Sequence, residues 1–155
     1  MHMIIFAIVH AENEEEALEY GRDVFHALVE KDTFDFLRTF DEPKTRNEYG
    51  DLAFAVTADS PAGKQCINTA MAKTREEFIK NLSTLRMALS ASDDRLWEEN
   101  PGNFRFYAKC LGEYRGVSTW IYDEHGLGLR DPKELETALS KDILTLWVVP
   151  GVAHS

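Results

Sequence analysis

Polar and apolar positions change period along this chain, and each change marks an element. Residues 3–9 run Met-Ile-Ile-Phe-Ala-Ile-Val without a polar break, which predicts a central strand covered on both faces. A helix is expected over 13–31, where Ala17, Leu18, Gly21, Val24, Phe25 and Leu28 recur at helical spacing. Asn13 suits its N-cap, and Glu14, Glu15, Glu16 and Glu19 suit the positive end of its dipole. Short strands follow at 34–40 and 52–58, separated by a polar loop with Pro43, Asn47 and Gly50.

Ser60-Pro61 opens a second long helix, with Ser as cap and Pro in the first turn. Its stripe of Ile67, Met71, Phe78, Leu82, Leu85 and Leu89 runs to about Ala91. A helical turn at 93–100 ends at Pro101-Gly102. Residues 104–111 and 117–122 read as a hairpin joined through Gly112 and Gly116. Asp131-Pro132-Lys133-Glu134 is a capping box for a short helix over 132–140. A last strand at 143–149 is expected to stop at Pro150-Gly151.

The order is β-α-β-β-α-β-β-α-β, and its first six elements match the ferredoxin-like β-α-β-β-α-β arrangement. The expected object is one α+β domain over 1–155: a two-layer sandwich with that core, extended by a hairpin strand, a short helix and a C-terminal strand. Both long helices then share one sheet face. The other face needs cover from the last helix or from a second subunit, so a homodimer joined through the sheet is expected.

Composition narrows the function classes. The chain has 155 residues, is 44% hydrophobic and 28% charged, and carries a net charge of −10. Collagen, coiled-coil rods, low-complexity linkers and disulfide-dense miniproteins are excluded. The acidic surface disfavours general nucleic-acid binding and binding to anionic membranes. The acidity is local: residues 1–60 hold 14 acids against 5 bases. Two cysteines, Cys66 and Cys110, make no disulfide framework and read as reduced thiols of a cytoplasmic protein. No stretch approaches the length of a membrane span, and the N-terminal residues lack a signal-peptide pattern.

Candidate chemistry gathers at one sheet edge. The ends of the first and third strands carry His10 and Glu12, and Asp59, Ser60 and Lys64. His10 beside Asp59 and Ser60 could do general acid–base work, because imidazole titrates near neutrality. The plainer reading makes Ser60 a cap, Asp59 a turn residue and His10 a strand-end hydrogen bonder. Ala58 to Gln65 follows a phosphate-loop spacing, but Ala58 replaces the first Gly and Gln65 the Mg²⁺-binding Ser/Thr. Nucleotide hydrolysis is therefore not expected.

Lys64, Arg75 and Arg86 recur every 11 residues and line one flank of the second helix as a candidate anion-binding row. The plainer reading has them snorkelling beside its apolar stripe. No histidine or cysteine spacing fits a metal site, and no cofactor is expected. Cys66 is a low-pKa thiolate candidate only if its helix starts near Gly63. The C-terminal aromatics, from Phe104 to Trp147, read as core or interface.

The leading expectation is a small acidic binding protein without its own catalysis, with a possible protein partner. The alternatives are a cofactor-free enzyme using His10, and an acidic mimic whose Glu-rich first helix meets a basic partner.

Overall fold

The computed structural model describes residues 2–140 and 146–155. Its strands are β1 (His2–His10), β2 (Phe36–Thr39), β3 (Val56–Thr57), β4 (Ile121–Tyr122) and β5 (Leu146–His154). Its helices are α1 (Glu14–Glu30), α2 (Pro43–Tyr49), α3 (Pro61–Ala88), α4 (Asp93–Glu99), α5 (Phe104–Gly112) and α6 (Pro132–Leu139), with a 3₁₀ turn at Pro101–Asn103. The architecture is mixed α+β. Among the described residues the five strands form one mixed sheet, ordered β2-β5-β1-β4, with β3 also pairing β5.

β1 and β5 are antiparallel in unbroken register from His2↔His154 to His10↔Leu146. Both are apolar at successive positions, so both take the centre, where each side chain meets cover. This pairing overturns one expectation. The strand expected at 52–58 was to neighbour the first strand. Its strand residues, Val56 and Thr57, instead pair Val148 and Trp147 of β5. β4 is the parallel neighbour of β1, through Phe6↔Ile121 and Ala7↔Tyr122.

β5 also continues through Pro150-Gly151, where a stop was expected. Phe6 turns its N–H toward β4, donating to the Trp120 carbonyl. Its antiparallel partner Pro150 therefore points its nitrogen away from β1. On that side β3 begins at Val56 opposite Val148 and β2 ends at Thr39 opposite Gly151, so neither strand pairs with Pro150 and its missing N–H breaks no ladder bond. Residues 143–145 of the strand expected at 143–149 lie outside the described residues.

Helices cover both sheet faces. Met3, Ile5, Ala7 and Val9 pack with Ala17, Val24, Phe25 and Leu28 of α1. Phe6 and Ile8, of opposite parity, pack with Ile67 and Ala70 of α3, and Leu135 and Leu139 of α6 join them. The expectation that both long helices share one face fails for this reason: β1 is apolar at both parities, and each face takes one long helix. The sheet face expected to need the last helix or a second subunit is covered within the chain, by α3 with α6.

The expected hairpin fails as well, because residues 104–112 form α5. Phe104 and Phe106 alternate like a strand, but the half-buried positions are 104, 107, 110 and 111, a helical spacing. A Lys109–Glu113 pair at 3.3 Å spans one turn. The loop expected near Pro43 holds α2, with Pro in its first turn and Gly50 at φ +97° closing it. The caps of α1, α3 and α6 are as expected: Asn13, Ser60 and Asp131 each accept a first-turn backbone N–H.

α1 sits close on β5. A Cβ on Gly151 would come within 2.6 Å of the Phe25 ring. Gly151→Ala is therefore expected to cost about 1–3 kcal/mol by overpacking. Thermal denaturation followed by circular dichroism should show a midpoint several degrees lower. An unchanged midpoint would mean that α1 can lift off the sheet without cost.

Candidate functional site

β1 and β4 run parallel, and β3, also antiparallel to β5, points the same way. The C-terminal ends of all three strands therefore meet one rim of the sheet, the edge at which open α/β sheets hold ligands. His10 stands on this rim at the end of β1. The turn after β4 brings Glu124 over it, and Nδ1 of His10 lies 3.0 Å from Glu124 Oε2. Both side chains are about one-third exposed, His10 at 30% and Glu124 at 34%. His125 Nε2 lies 3.7 Å from the other oxygen of Glu124.

The turn is built to hold Glu124 there. The Asp123 carboxylate accepts the backbone N–H groups of His125 and Leu127, each at 2.9 Å. Gly126 adopts φ +69°, and its carbonyl accepts Arg115 Nε at 2.8 Å. Beneath the turn, the Tyr122 hydroxyl donates to the Thr119 carbonyl at 3.1 Å. Burial pushes that phenol far above its ordinary pKa, so it stays a neutral structural donor. On the other side of His10, Trp147 Nε1 donates to the Ala11 carbonyl at 3.0 Å and pins the chain leaving β1.

A carboxylate on Nδ1 can hold an imidazole in the tautomer that leaves Nε2 as the base. On this rim the described contact of that kind is His10–Glu124. Sequence reading selected His10 but not Glu124. The signal was the Asp-Glu-His-Gly turn at 123–126, and reading it required knowing that the strand before it pairs parallel with β1.

Asp59 and Ser60 share the rim but not the site. β5 lies between β3 and β1, which separates their ends by two strand spacings, roughly 10 Å. The Ser60 hydroxyl is committed to the start of α3: it donates to the Thr57 carbonyl at 2.7 Å and accepts Gly63 N–H at 3.0 Å. It is the N-cap of α3. Asp59 is an exposed residue of the turn after β3.

Gly63 is explained by packing. A Cβ there would press on the Thr57 carbonyl oxygen and lie 3.0 Å from the Ala58 Cα. The Gly inside the near-phosphate-loop spacing therefore reflects the close approach of α3 to β3.

Lys64, Arg75 and Arg86 are exposed on α3 and make no ion pair with another described residue. Arg75 borders an apolar cleft of about 490 Å³ between α3 and the start of α6. The Glu-rich start of α1 is partly used by the helix itself. Glu16 accepts the Glu12 backbone N–H and the Tyr20 hydroxyl, in that order of effect, and its carboxyl is held below its ordinary pKa. Among the described residues, no group of three or more His, Cys, Asp or Glu is placed to hold a metal. No helix of the described residues is long and apolar enough to cross a membrane.

Cys66 sits in the second turn of α3, because the helix begins at Pro61. The dipole fades by that point, and burial pushes the thiol up. Burial, then Glu113, pushes Cys110 up as well. Both should therefore alkylate more slowly with iodoacetamide at neutral pH than an unfolded cysteine peptide. A Cys66 rate above the peptide's, read by peptide mass mapping, would restore the thiolate reading.

No curated protein and no solved structure matches this chain. One family model matches from end to end, over residues 1–155, and by it the chain belongs to the family described as Domain of unknown function (DUF7995).

Proposed function

We propose that this chain is a binding module without its own catalysis, and that it self-associates through a helical arm formed by residues 78–112. One observation carries the reading: the arm exposes large apolar side chains that its own packing leaves uncovered. No residue of α4 or α5 is buried. Trp97 is 80% exposed, Met87 73%, Phe106 55% and Leu89 51%. Scattered exposed apolar residues are ordinary, but this concentration in one segment is the mark of an interface. The two sheet faces need no partner, since α1 and α3 cover them, so the dimer expectation moves from the sheet to the arm.

Charge supports a second copy as the partner. The arm holds 4 acids and 5 bases, whereas the whole chain has a net charge of −10. Two acidic copies can approach along it without like-charge repulsion. Sedimentation equilibrium at micromolar concentration should report a dimer. A Trp97→Glu/Phe106→Glu double variant should be a monomer with an unchanged circular dichroism spectrum. A wild-type monomer, or a dimer that survives the double variant, would overturn the reading.

A second reading rests on the His10–Glu124 contact of 3.0 Å: a cofactor-free enzyme in which His10 moves the proton and Glu124 orients it. Hydrolysis of p-nitrophenyl acetate is a direct probe of an activated imidazole. This reading expects His10→Gln to lose most of the rate above background and Glu124→Gln to lose part of it. Equal rates in wild type and His10→Gln would remove it. The ferredoxin-like relationship and the acidic-mimic role gain no support from the strand order or from the engagement of Glu16.

A further inference from the structure

We propose that the cleft between α3 and the start of α6 binds a small amphipathic carboxylate, with its anionic head on Arg75. The cleft has a volume of about 490 Å³. That falls within the range of small-molecule sites, about 300–1,000 Å³. Met71, Phe78 and Ile79 form its wall on α3, and Pro132 faces them from α6. Phe78 and Ile79 are 46% and 45% exposed, so apolar surface is presented to solvent inside a concavity. A ligand's apolar body covers this surface, and burial of that area supplies the attraction.

The charged groups of the cleft divide into committed and available. Oδ1 of Asp131 accepts the N–H groups of Lys133 and Glu134, each at 2.9 Å, as the cap of α6. Arg130 is held from several sides. It donates to Glu134 at 3.1 Å and to the Gly112 carbonyl at 3.1 Å, and its guanidinium lies 3.4 Å from the Tyr114 ring centroid. Arg75 is exposed and makes no ion pair with another described residue. It is the available cation at the rim of an apolar pocket, in a protein that is otherwise strongly acidic. A carboxylate matches the planar fork of its guanidinium. A phosphate-rich polymer would meet the acidic remainder of the surface and be repelled.

The probe is decanoate below its micellar concentration, added to the full chain and followed by ¹H–¹³C spectra of the Met71 and Ile79 methyl groups. Saturable shifts at both methyls are expected. Arg75→Gln should weaken binding by about tenfold or more, the scale of one lost charge-assisted hydrogen-bonded contact. Ala72→Trp, at an exposed position lining the cleft, should abolish the shifts while leaving the circular dichroism spectrum unchanged. No saturable shift with decanoate would overturn the proposal. So would equal affinity in Arg75→Gln, or equal affinity for the uncharged decyl maltoside, which would leave only a nonspecific apolar groove. Self-association of the arm is read separately, by sedimentation of the Trp97→Glu/Phe106→Glu variant, whose substitutions lie outside the cleft.

Discussion

The antiparallel pairing of β1 with β5 is the contact on which the rest depends. It joins the two most distant parts of the chain over nine residue pairs, from His2↔His154 to His10↔Leu146. Every other strand attaches to one member of this pair, β4 to β1 and β2 and β3 to β5. The pairing also sets the faces. Because β1 is apolar at both parities, one long helix is drawn to each side, α1 to one and α3 to the other. Closing a loop of this length is entropically expensive, and the buried apolar surface of the two strands offsets it.

The same pairing places the candidate chemistry. With β5 antiparallel at the centre, β3, β1 and β4 all end on one rim, and the turn after β4 carries Glu124 to His10. It also inserts β5 between His10 and the Asp59–Ser60 turn. The His10–Glu124 contact forms where two parallel strands are neighbours, and Ser60 on the same rim is held as the cap of α3.

The length of α3 creates the remaining surface. Twenty-eight residues make a helix roughly 42 Å long, against roughly 30 Å for a nine-residue strand. Its first half packs on the sheet through Ile67 and Ala70. The second half overhangs and carries α4 and α5, which find too little to bury against. The apolar side chains of the arm and the cleft beside Arg75 both arise from this overhang.

Local signals determined most of the helices. Asn13, Ser60-Pro61 and Asp131-Pro132 mark their helix starts because a cap needs only its own next three residues. Pro43 and Gly50 bound α2 in the same way, but there the polar stretch reads as a loop. The continuous apolar run at 3–9 determined that its strand would be central. Sequence also selected His10 and the exposed row Lys64, Arg75 and Arg86, since residue type and spacing are local properties. What only the tertiary structure decided is which elements meet. The pairing of β5 with β1, the helical state of 104–112, the passage of a strand through Pro150 and the meeting of His10 with Glu124 each depend on partners far away in the chain. Such contacts are chosen by the burial that the whole fold can reach, and no window of neighbouring residues contains that information.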